Sequence, residues 1–121
     1  VGGTLNSSTD TYIAYLFASL PGVSKVGSYT GDGTSNGRVI DCGFTSGARF
    51  ILIKNIDQTD SWYVWDAARG IVDGADPYIQ LNSSAAQVTD ADWVDPDSSG
   101  FSIRAGVING NGANYIFYAI A

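Results

Sequence analysis

The sequence predicts an all-β domain, an antiparallel β-sandwich of about eight strands with little or no helix. Three observations carry that prediction. All twelve acidic residues are Asp and none is Glu, Met is absent and Gly reaches fifteen, so helix-favouring residues are scarce and turn formers abundant. Residues 49–54 (RFILIK) and 61–66 (SWYVWD) are short β-branched and aromatic runs, and the intervening NIDQTD offers side chains that bond nearby backbone and stabilise a turn. They read as a hairpin. Other runs of strand length recur along the chain between Gly-, Pro- and Asn-rich breaks.

Taken in order, residues 1–10 are Gly/Ser/Asn-rich and read as loop. Residues 11–18 (TYIAYLFA) are apolar on both alternating faces, which predicts a central strand covered on both sides. Leu20-Pro-Gly22 ends it. Residues 23–30 form a mixed strand, and residues 31–37 (GDGTSNG) a loop in which some glycines need positive φ. Its GxG is a turn signal, because a phosphate cradle would need a following helix and none is indicated. Residues 38–42 are a short strand leading to the hairpin. Trp62, Tyr63 and Trp65 cannot share one face of a strand. The hairpin is therefore covered on both faces or presents one of them for binding. Residues 67–77 form an irregular connection, 78–81 a strand, and 82–88 one helical turn capped by Ser83 or Ser84. Residues 89–100 are polar loop around Trp93. Residues 101–107 alternate, with Phe101, Ile103, Ala105 and Val107 inward and Ser102 and Arg104 outward. A turn at 109–114 precedes the terminal strand, 115–121.

The two ends of the chain match without a gap. VGGTLNSSTDTYIAYLFA (1–18) aligns with RAGVINGNGANYIFYAIA (104–121) at an offset of 103 residues, with Gly3/Gly106, Asn6/Asn109, Tyr12/Tyr115, Ile13/Ile116, Tyr15/Tyr118 and Ala18/Ala121 identical. Residues 1–18 thus read as the closing strand of a preceding repeat. Two strands of one sandwich that share an apolar pattern are the alternative.

The chain, 121 residues with 45% apolar and 15% charged side chains, has the balance of one globular domain. A net charge of −6 with six Lys and Arg argues against nucleic acid or an anionic membrane as partner. No apolar run reaches the length of a membrane span, and no signal peptide is read. Val1 in place of Met reads as a processed chain or a part of a longer one. Cys42 is the only cysteine, which excludes an intrachain disulfide or a thiolate metal site and suits a buried hydrophobe.

There is no His, so the usual triads, the Cys–His pair and the common zinc sites are excluded. Paired aspartates for glycoside cleavage remain conceivable, but Asp in Gly/Pro/Ser-rich loops is ordinarily a turn residue. The chain reads as a binding or structural module and not an enzyme. Asp90, Asp92, Asp95 and Asp97, with Asp73 and Asp76 nearby, could bind Ca²⁺ through oxygen ligands. The series starts like an EF-hand loop, yet Val94 breaks it and no Glu closes it; solvated loop acids are the competing reading. Asp66 and Arg69 are placed for a local ion pair. Trp62, Tyr63, Trp65, Tyr78 and Trp93 are surfaces of the kind that stack on sugar rings, with Asp66 and Arg69 beside them for hydroxyls. For each of these aromatics the core is the competing reading. The sequons at Asn6 and Asn82 carry no weight without evidence of secretion.

The ordered series GSYTGDGTSNGRVIDCGFTSGARFILIKNID, WYVWDAARG, YIQLNSSAAQVTDAD, SGFSI and NYIFYAIA resembles a domain family of bacteriophage virion-surface, tail-fibre-like structural proteins of marine phages. Gly31, Asp66, Arg69, Asn82, Ala85 and Ala86 match its motifs, and the resemblance assigns none of them a catalytic role. It implies a jelly-roll or lectin-like sandwich on the virion surface, outside the cell. Expected partners are other copies, other virion proteins or a host-surface glycan. The expected function is attachment to that glycan or assembly of the appendage, often as a trimer. Capsid decoration or a filament subunit is one alternative, and a polysaccharide depolymerase with paired aspartates is another.

Overall fold

The computed structural model describes residues 9–121. Eight strands run in the order β1 (Ser24–Thr30), β2 (Arg38–Asp41), β3 (Phe50–Asn55), β4 (Trp62–Asp66), β5 (Ile79–Gln80), β6 (Val94–Asp97), β7 (Gly100–Ile103) and β8 (Asn114–Ile120), with one 3-10 turn at Gly106–Ile108. Among the described residues there is no α-helix, and no helix is long and apolar enough to cross a membrane. The strands form a five-stranded sheet, β1-β8-β3-β4-β5, and a three-stranded sheet, β2-β7-β6. Every paired neighbour is antiparallel.

The last strand in sequence is the second in the sheet. β8 inserts between β1 and β3, pairing from Ser24↔Ile120 to Thr30↔Asn114 on one side and from Phe50↔Ile120 to Asn55↔Tyr115 on the other. This register puts Tyr29, Tyr115, Phe117, Ala119, Ile51, Ile53, Tyr63 and Trp65 on one face, and all are buried. Ile40, Phe101, Ile103 and Val94 of the smaller sheet join them in one core, with Phe101 meeting Phe117 edge-to-face at 5.6 Å. Burial of that many large side chains is the main stabilising term. Cys42 lies in this core, where burial pushes its thiol up to about 11. It is a packed hydrophobe.

The predicted hairpin is present as β3 and β4, paired from Phe50↔Asp66 to Lys54↔Trp62. Gly33 and Gly37 take positive φ in the loop after β1, as the sequence requires. Four expectations are corrected. Residues 11–18 form no strand, and Ile13, Tyr15, Leu16 and Phe17 are exposed; among the described residues no strand lies beside them to satisfy their backbone. Most of the predicted loop 1–10, and residues 1–8 of the first repeat copy (1–18), lie outside the described residues. Residues 82–88 form no helical turn: Ser83 Oγ accepts from the Ala85 N–H at 3.0 Å, and Tyr78 bridges Val88, so local side-chain bonds and a β-bridge take the backbone instead. The alternation at 101–107 stops at Ile103, since Gly106–Ile108 turns away; Val107 is exposed, and Ser102, expected outward, is buried. Residues 94–97, within the expected polar loop 89–100, form β6 instead, an edge strand on which Pro96 is tolerated.

Candidate functional site

The aromatic candidates separate onto two sides of β4. Trp62 pairs with Lys54 and points to the outer face of the five-stranded sheet, where it is 38% exposed. Trp65 points inward and is fully buried, and Tyr78 is nearly so. Half-buried Trp93 stacks on Tyr78 at 4.6 Å and meets Tyr63 edge-on at 5.2 Å. Tyr63, Trp65, Tyr78 and Trp93 form one packed aromatic cluster. As placed, Trp65 and Tyr78 offer no open ring to a ligand, and Trp62 and Trp93 do not share a surface. Parity along β4 decides this, as alternate side chains leave opposite faces.

Asp66 and Arg69 form the expected local pair. The Arg69 guanidinium contacts the Asp66 carboxylate, Asp66 also accepts from the Arg69 backbone N–H at 2.9 Å, and Arg69 Nε donates to Gln87 at 3.1 Å. Together they order the turn after β4. With Arg49, Phe50, Ile120 and Ala121 they line an open depression at that end of the sheet.

The acidic candidates do not converge as one group. Asp97 closes a turn on itself, accepting from the Ser99 N–H at 2.8 Å and Ser99 Oγ at 2.7 Å. Asp90 is exposed in the loop before β6 and does not join the cluster. Asp92 and Asp95 instead meet Asp76, with one carboxylate oxygen from each lying within 4.8 Å of the others. This triad could coordinate a divalent ion such as Ca²⁺ through hard oxygen donors. Three carboxylates fall short of a full Ca²⁺ shell, and Asp95 is already engaged by Arg104 and by the Gly74 N–H. Asp76 is fully buried, accepting from the Val72 N–H at 2.9 Å and the Val94 N–H at 3.3 Å. Desolvation, which those bonds only partly offset, pushes its carboxyl up to about 6, with Asp95 and Asp92 adding repulsion.

The feature hardest to read from single residues is the outer face of the five-stranded sheet. The register aligns Val26, Ile116, Tyr118 and Ile120 with Phe50, Leu52 and Val64 on that face, so both sides of the sheet are apolar. The available signal was the strand 115–121, which is apolar at both parities. Phe17 lies on Tyr118 with ring centroids 4.5 Å apart. With Tyr15, Val26, Leu52 and Trp62 it borders a groove of about 320 Å³.

Residues 1–121 match a family model described as a domain of unknown function, DUF7483. No curated protein and no solved structure matches the chain.

Proposed function

The chain belongs to the DUF7483 family, and we propose that it is a non-enzymatic β-sandwich module that assembles a phage virion appendage through its five-stranded sheet. The virion setting is supported by the resemblance of the ordered motifs. The assembly role is supported by one observation above others: the outer face of that sheet carries an unbroken apolar row across four strands, Val26, Tyr118, Leu52 and Val64, flanked by Phe50 and Ile120 on one side and by Ile116 and Trp62 on the other, where Ser28 and Lys54 end the patch. An apolar face of that kind fits a protein interface better than bulk solvent. In jelly-roll or lectin-like sandwiches both sheets lie against one core, and the contact of Phe101 with Phe117 suits that packing.

Glycan attachment would need an exposed aromatic beside polar groups, and Trp62 is the aromatic best placed for it. A depolymerase would need two carboxylates facing a groove. Asp76, whose carboxyl desolvation pushes up to about 6, is sealed from solvent.

Light scattering across a concentration series tests the assembly reading. The chain is expected to form a defined oligomer, and Val26→Asp is expected to return it to monomer with its circular dichroism unchanged. A wild-type monomer at all concentrations would overturn assembly through this face. Retention of such a monomer on host-surface polysaccharide, lost on Trp62→Ala, would favour attachment.

A further inference from the structure

We propose that residues 12–18 are the closing strand of a neighbouring unit of the same fold joined in tandem, taking there the place that β8 takes here. Three observations meet. The first is the gapless match of 1–18 to 104–121, which carries over both Gly106 and Asn109 as Gly3 and Asn6. The second is what the matched segment does in this fold: β8 is hydrogen-bonded along both edges, and Tyr115, Phe117 and Ala119 are buried. The third is the state of the copy. Ile13, Tyr15, Leu16 and Phe17 are 81, 80, 93 and 56% exposed, although their sequence is that of a strand apolar on both faces. Among the described residues no strand flanks residues 13–17; a second β1/β3 pair would supply two.

The side chains also specify which slot it fits. Phe117 and Ala119 correspond to Ala14 and Leu16, so large and small are exchanged. In this chain the Phe117 ring lies over Gly27, where a Cβ would approach it to 2.5 Å, and the ring is held by Phe101 and Tyr29. Ala14 would leave that space empty. The receiving unit therefore carries a larger residue where this one has Gly27, which disfavours exchange of the segment with this chain's own β8. The assignment stands whether or not the sheet's outer face mediates assembly.

The test is a chimaera of residues 19–103 followed by residues 1–121, in which residues 1–18 must close the first unit. Residues 19–121 followed by 19–121 serve as the reference, with β8 closing both. In the chimaera the amides of residues 13–17 are expected to exchange at least about a hundredfold more slowly than in the single chain, as in a paired strand. Gly27→Val is expected to raise the melting temperature of the first unit and to lower that of the single chain. Leu16→Asp is expected to leave the single chain's melting temperature unchanged and to unfold the first unit of the chimaera. Unprotected amides at 13–17, with and without Gly27→Val, would overturn the proposal. So would a Gly27→Val effect of the same sign in both proteins.

Discussion

Asp76 is the residue whose ionisation the fold resists. It is fully buried, and its carboxyl is pushed up to about 6 chiefly by desolvation. In the unfolded chain it ionises near 4, at about the usual carboxylate value. Below that value both states hold the proton and the folded form carries no penalty. As pH rises towards 6 the unfolded state ionises first, so stability is lost across that window, by at most about 3 kcal/mol. Melting temperature is expected to fall between about pH 4 and 6 from this group, and Asp76→Asn should flatten the slope. The same variant lowers the plateau, since one amide oxygen cannot replace two carboxylate oxygens as acceptors for the Val72 and Val94 N–H groups. Calorimetry across pH checks both effects. A cation at the triad would favour the ionised form, so added Ca²⁺ is expected to raise the melting temperature more at neutral pH than at low pH, and Asp92→Asn to remove the response. No shift in millimolar Ca²⁺ would leave these carboxylates as loop-ordering acids alone.

At the scale of elements, Asn109 ties the loop after β1 to the 3-10 turn before β8. It is fully buried, its amide donates to Asp32 at 2.6 Å and to the Thr34 carbonyl at 2.9 Å, and its oxygen accepts from the Asp32 N–H at 3.3 Å. Asp32 in turn accepts from the N–H and hydroxyl of Thr34, bonds that hold its carboxyl below the usual range. Tyr29 joins the same junction by donating to the Ile108 carbonyl at 2.6 Å. Removing the amide breaks its three hydrogen bonds to Asp32 and Thr34, which are exposed and can turn to water, so Asn109→Ala is expected to cost about 1 kcal/mol in urea denaturation. A loss near zero would mean that the loop reorganises around water.

For the whole molecule, the position of β8 governs how the chain folds. Its partners β1 and β3 lie far back in sequence, and the five-stranded sheet is not continuous until the last residues arrive. Contacts of such long range close slowly, so folding on the millisecond-to-second scale is expected in stopped-flow fluorescence of the tryptophans. Deleting residues 114–121 should abolish the cooperative thermal transition, because Tyr115, Phe117 and Ala119 leave the core together. A transition that survives the deletion would mean that β1 and β3 can pair directly. Assembly through the outer face would then add stability that depends on protein concentration.

Local chemistry alone determined the all-β class, the β3–β4 hairpin, the glycine turn after β1, the Asp66–Arg69 pair and the buried Cys42, since each depends on neighbours within a few residues. The apolar runs also marked most strands, because alternation is written in consecutive positions. Tertiary structure decided the rest. Whether TYIAYLFA becomes a strand depends on whether two others flank it, and the same pattern that is central at 114–120 is exposed at 12–18. Side-chain parity could be read from β4, but only its register against β3 and β5 showed that Trp65 enters the core while Trp62 faces out. Asp76 meets Asp92 and Asp95 across a chain separation that no spacing rule covers. Strand pairing at long range sets these outcomes, and its energy lies in contacts that sequence order does not specify.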